Sequence, residues 1–216
     1  MINKDYILRI AESFGRELSI ILGLRQRNQH EEALIYIDNL FFNNLGLTSS
    51  FINSVSEDVL LKTLSPLGNL NVEKCLLVAA LLKMEGDIYE EMGKSDESYY
   101  HYLKSLNLLL AVQLDERTLS QSYFYTDTED LLHLLTDYEL PTSTKSKLIT
   151  YYELTGNYAR AEDMLYEVRD ASDVPANIRQ QGRAFYARLE HKSDADLLAG
   201  NLSREEIAEG IAEFGE

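Results

Sequence analysis

The sequence predicts an all-α protein, an α-solenoid of antiparallel helix pairs, and three observations carry that prediction. Apolar residues recur at three- and four-residue steps over long stretches, the spacing that lines one face of a helix. Only three prolines interrupt 216 residues, and a 45% hydrophobic composition rich in leucine and tyrosine shows little of the β-branched alternation of strands. A helix-turn-helix pattern from Ala79 to Val112 also recurs in part on either side of itself, the mark of a repeat architecture.

Taken in order, Lys4 to Leu24 reads as an amphipathic helix. Tyr6, Ile7, Ile10, Phe14, Leu18, Ile21 and Leu22 make its apolar stripe, and Arg9, Arg16 and Glu17 face water. Gly23 and Asn28 mark its end. A second helix, His30 to Asn44, turns Ala33, Leu34, Ile37, Leu40 and Phe41 inward and stops at Gly46. Thr48 to Leu64 is a weaker pattern with Ser50 as N-cap, and Pro66 and Gly68 then break the chain. Asn71 caps a long helix beginning at Val72, in which Cys75 to Leu82 is apolar on all sides and marks the centre of the core. Gly93 ends that helix. The next one buries Tyr99, Tyr102, Leu103, Leu106, Leu109 and Leu110. An irregular stretch of acids, hydroxyls and aromatics follows Leu114, then a helix around Leu131 to Tyr138 closed by Pro141. Thr142 or Ser143 caps the following helix, the turn Gly156 to Glu162 leads into its partner, and Asp173 with Pro175 precedes a helix at Ile178 to Glu190.

Two domains are expected: residues 1–190 as one helical domain, and 191–216 as a tether with a short amphipathic helix. Ser203 and Glu206 form a capping-box pattern ahead of Ile207, Ile211 and Phe214. The simplest role for that helix is to cap the last open face of the array; a detachable helix that docks in a groove is the alternative.

The central stretch resembles a tetratricopeptide repeat. With Ala79 as first position, Gly86, Tyr89, Gly93 and Tyr102 stand at the repeat's small residue, first aromatic, turn glycine and second aromatic. Ser98 and Ser105 replace alanine, Glu85 replaces leucine and Leu110 replaces proline. A second copy places Leu148, Tyr152, Gly156, Ala161, Leu165 and Val168 in register; a third aligns Ala33 and Ile37 but has Asn28 where the turn glycine belongs. The resemblance implies a right-handed solenoid whose first helices line a concave, partner-binding surface. The groove positions it implies are Arg25, Lys83, Asp87, Glu90, Glu91, Ser146, Thr150 and Glu153, a set suited to a polar or basic peptide. Tyrosines at repeat positions pack between helices, which leaves Tyr100, Tyr123 and Tyr125 for recognition. The partner-binding set expected is therefore Arg25, Lys83, Asp87, Glu90, Tyr100 and Glu153. The opening from Ile2 to Arg25 and the ending from Gly200 to Phe214 also resemble a family of tetratricopeptide-like proteins of Gram-positive bacteria labelled a domain of unknown function, which implies the fold and no activity.

A net charge of −16 opposes nucleic acid and anionic membrane. The first 29 residues are mildly basic, which would allow head-to-tail pairing as a homodimer, although keeping a leucine-rich array soluble is the simpler reason for the acidity. One cysteine gives no disulfide framework, and with neither an export signal nor an apolar run of membrane-spanning length the chain reads as cytoplasmic. Gly86 to Ser95 brushes against the phosphate-loop pattern but has Ile88 where glycine is needed and two glutamates inside the cradle. His30, His101, His133 and His191 are dispersed, only Asp130 with His133 resembling half of a bundle metal motif, and Glu97 with His101 reads as a surface pair. No catalytic, metal or cofactor residue is assigned. The function expected is a scaffold or adaptor that binds a peptide segment on its concave face, with a non-catalytic sensor of a small peptide or metabolite as the alternative.

Overall fold

The computed structural model describes residues 4–115 and 125–215, and side chains for 15–66, 68–115 and 128–215. The side chains of the expected stripe residues Tyr6, Ile7, Ile10 and Phe14 and of Tyr125, and the whole of the candidate Tyr123, lie outside that description. Among the described residues all regular structure is helical: α1 (Lys4–Gln26), α2 (His30–Leu45), α3 (Ser49–Ser54), α4 (Glu57–Thr63), a 3-10 turn (Pro66–Gly68), α5 (Val72–Glu91), α6 (Ser95–Gln113), α7 (Tyr125–Leu134), α8 (Thr142–Leu154), α9 (Tyr158–Arg169), α10 (Ile178–Glu190), α11 (Asp194–Ala199) and α12 (Arg204–Gly215).

The chain forms two compact units, Met1–Val112 with Tyr125–Leu135, and Gln113–Phe124 with Thr136–Glu216. This division falls elsewhere than at residue 190. In the first unit, α1 packs on α2 and α2 on α5. Cys75, Leu77, Val78, Ala79, Leu81 and Leu82 of α5 are buried as their apolar run requires, with Ala33, Ile37 and Phe41 of α2 and Leu106, Leu109 and Leu110 of α6. Gly86 is small for a reason: a Cβ there would lie 2.6 Å from the Tyr102 ring.

The three repeat-like helix pairs turn in the same way, and Asn201 between α11 and α12 repeats the pattern. Asn28, Gly93 and Gly156 take left-handed φ values of 56°, 70° and 77°. In each turn the left-handed residue's N–H returns to the carbonyl three residues back, and the next N–H to the carbonyl five back, as in Gly93 to Glu90 and Lys94 to Tyr89. Asparagine is the non-glycine residue best suited to this conformation, which explains the substitution at residue 28. Five residues after the turn residue of each repeat-like pair, Ala33, Ser98 and Ala161 are fully buried.

Some boundaries differ from the sequence reading for local reasons. Thr48 to Leu64 is two short helices: the side chain of Thr48 caps α3 by accepting from Phe51 N–H, extended Val55 breaks the helix, and Ser56 caps α4 through Val59 N–H. Ser50 is not the cap. α8 begins after Pro141, whose carbonyl accepts from Thr144 and Lys145, rather than with a hydroxyl cap at Thr142 or Ser143. Helix α7 ends at Leu134, short of Tyr138.

In the second unit α8 pairs with α9, and α10 packs on both α9 and α12. The segment expected to be a tether holds α11, and its Gly200 carbonyl accepts from Ala159 N–H at 3.0 Å. Ser203 and Glu206 make the reciprocal capping box. Helix α12 lies close on α10: a Cβ at Gly182 would meet Phe214 at 2.2 Å, and one at Gly210 would meet Tyr186 at 2.0 Å.

Candidate binding site

Arg25, Lys83 and Asp87 come together in the first unit, engaged with one another. Arg25 donates to Asp87 at 2.9 Å and to Glu91 at 2.7 Å, Lys83 lies 3.7 Å from Asp87, Tyr102 donates to Asp87 at 3.0 Å, and His30 stands 3.3 Å from Glu91. Burial lowers the Arg25 pKa, but the two carboxylates outweigh it and the net shift is upward. Glu90 accepts from Ser98 at 2.6 Å. This network ties the α1–α2 turn to α5 and α6. Glu153 belongs to the second unit, where Arg188 grips it with two bonds of 2.5 and 2.7 Å. Tyr100 lies on a different face of α6 and is 66% exposed.

That face carries a pocket of about 360 Å³, lined from α6 by Glu97, Tyr100, His101, Leu103, Lys104 and Asn107, and from α3 and α4 by Asn53 and Glu57. Lys104 is half-buried and places its ammonium 2.8 to 3.0 Å from the carbonyls of Ile52, Asn53 and Val55. These are orphan acceptors at the end of α3, so the cation caps a helix C-terminus with all three of its donors. Desolvation lowers its pKa, opposed by Glu57.

Behind the pocket wall is a buried polar cluster. Glu85 is 2% exposed and accepts from Ser49 Oγ at 2.5 Å and Asn53 Nδ2 at 3.5 Å; its Oε2 lies 3.4 Å from His101 Nε2. Burial pushes the Glu85 carboxyl up to about 7, against the Ser49 and Asn53 bonds and helped by Asp38. Burial pushes His101 down. Nδ1 of His101 sits 2.6 Å from the Glu97 carbonyl and donates to it, so Nε2 presents its lone pair to Glu85. The ring also packs on Tyr89, centroids 4.8 Å apart. A carboxylic acid facing a neutral imidazole is the arrangement these shifts favour, a pair holding one proton.

Sequence reasoning missed Glu85 and Lys104 and took His101 for a surface residue. The signal for Glu85 was its place at a leucine position of the repeat. Ser98 and Ser105, the serines at alanine positions, are likewise buried, and Ser105 Oγ bonds the Ala79 carbonyl at 2.7 Å. Each of these departures is therefore a buried, hydrogen-bonded polar group.

In the second unit a pocket of about 350 Å³ borders Tyr152, Arg160 and Tyr166, with the Arg160 guanidinium 4.1 Å over the Tyr152 ring. Among the described residues no group of three or more His, Cys, Asp or Glu is placed to hold a metal ion, and no helix is long and apolar enough to cross a membrane. His133 and His191 are exposed.

The model of a family of unknown function, DUF6483, matches residues 1–216. The chain belongs to the DUF6483 family. No curated protein and no solved structure matches it. In this DUF6483 chain the α6 pocket and the network beside it are the features that bear on function.

Proposed function

We propose that this DUF6483 chain is a non-catalytic interaction module of the cytoplasm, a scaffold or adaptor that binds a segment of another protein. The observation that carries the reading is the open α6 pocket with Tyr100 at 66% exposure, a large amphipathic side chain of the kind that anchors interfaces. The repeated left-handed turns support stacking of the helix pairs as a tetratricopeptide-like solenoid. Binding is assigned to the α6 face rather than to the Arg25, Lys83 and Asp87 positions, because their charges neutralise one another. The reading is non-catalytic because Lys104 is saturated by backbone carbonyls and the Cys75 thiol, pushed up to about 12 by burial, is no thiolate at neutral pH.

Selection of a displayed random-peptide library on the purified protein tests this. Enriched peptides that bind the Tyr100→Ala variant at least about tenfold more weakly support it. A library that yields none, with a small molecule retained in native mass spectra of protein purified from its host, would move the reading to a metabolite sensor. The proton-holding Glu85–His101 pair behind the pocket wall favours that alternative.

A further inference from the structure

Resting on the adaptor reading, we propose that the pocket between α6 and the α3–α4 segment takes a basic side chain, lysine or arginine, from the partner. Three features of the wall select this chemistry. The exposed ring of Tyr100, held edge-on by Tyr99 with centroids 5.2 Å apart, offers a π face to a cation. Glu97 at the first turn of α6 and Glu57 at the start of α4, whose charge also acts on Lys104, bring acidic residues into the lining. Lys104, the one cation lining the pocket among the described residues, points its three donors at Ile52, Asn53 and Val55, so it cannot grip an anion.

The remaining polar groups agree. Asn53 donates inward, to Ser49 at 3.1 Å and Glu85 at 3.5 Å, leaving its amide oxygen as the acceptor end. His101 donates its Nδ1 proton to the Glu97 carbonyl and adds no positive charge. Two carboxylates against one ammonium leave the pocket net negative, on a chain of net charge −16. That field attracts a cationic segment and repels an acidic one. The volume of about 360 Å³ lies at the low end for small-ligand pockets and suits one long side chain, with Leu103 against its methylene stem.

The test titrates the full ¹⁵N-labelled chain with short peptides, acetyl-Gly-Gly-X-Gly-Gly-amide, in which X is lysine, arginine, leucine or glutamate. Saturable shifts of the Glu57, Tyr100, Lys104 and Asn107 amides are expected with lysine or arginine, and weaker binding by about tenfold with leucine or glutamate. The basic peptides should lose the response with Tyr100→Ala and with the Glu57→Gln, Glu97→Gln pair, whose melting is checked against wild type. If the leucine or glutamate peptide binds as tightly as the basic ones, the pocket is a binding site and the proposed chemistry is overturned. If no peptide moves these amides, both this proposal and the pocket's role in the adaptor fall.

Discussion

His101 Nε2 and Glu85 Oε2 lie 3.4 Å apart in the interior of the first unit, joining α6 to α5 at the point where Ser49 and Asn53 of α3 also bind Glu85. Three helices thus converge on one carboxyl group whose pKa burial raises to about 7, and the fold becomes sensitive to pH at that point.

The sign of this sensitivity follows from the direction of each shift. The Glu85 pKa rises from 4.5 to about 7 on folding, so its contribution to stability is complete below pH 4.5 and is lost as pH rises through about 7. His101 shifts downward from 6.5, so its contribution is present above pH 6.5 and falls as pH drops through the lowered value. Asp38 on α2, with Glu97 and Lys104 on α6, modulates the pair. Glu85→Gln removes the first contribution. Its stability relative to wild type should increase between pH 5 and pH 8 by up to about 3 kcal/mol, a gain on the order of 10 °C in melting temperature. A difference in melting temperature that does not change with pH would show that Glu85 is ionised in the folded state.

Gly86→Ala should destabilise the first unit by about 1–3 kcal/mol, since the new methyl meets the Tyr102 ring at 2.6 Å and that ring is held by its bond to Asp87. Urea denaturation of the two proteins checks this; equal midpoints would mean that the ring moves aside without cost.

The left-handed turns give a paired test. Asn28→Gly should be neutral or slightly stabilising, whereas Gly93→Ala and Gly156→Ala should each cost roughly 1–2 kcal/mol, because a Cβ is disfavoured at φ values of 70° and 77°. Thermal melts of the three variants decide it.

Lys104→Met keeps the stem and removes the ammonium that three carbonyls of α3 and its C-cap accept. Amide exchange in α3 should speed up, and global stability should fall by about 1–3 kcal/mol. Unchanged exchange in Ile52 to Val55 would mean that water replaces the cap.

Local features were legible in the sequence. The Asn71 cap, the turns at Gly46, Gly93 and Gly156, the bounds Ile178 and Glu190 and the Ser203–Glu206 capping box all depend on neighbours a few residues away. What was not legible depends on distant partners. Arg25 meets Asp87 across 62 residues, Ser49 meets Glu85 across 36, and Lys104 reaches back 52 to Ile52. Periodicity reports which face of a helix is buried, but not which helix covers it. The same limit explains why a repeat pattern does not show that Arg25, Lys83 and Asp87 engage one another.

The seating of Phe214 against Gly182 also sets an order of events during synthesis. The first unit draws on residues no later than 135, whereas the core of the second cannot close until residue 214 has emerged from the ribosome. Through that interval the α10 surface that receives Phe214 stands open to water.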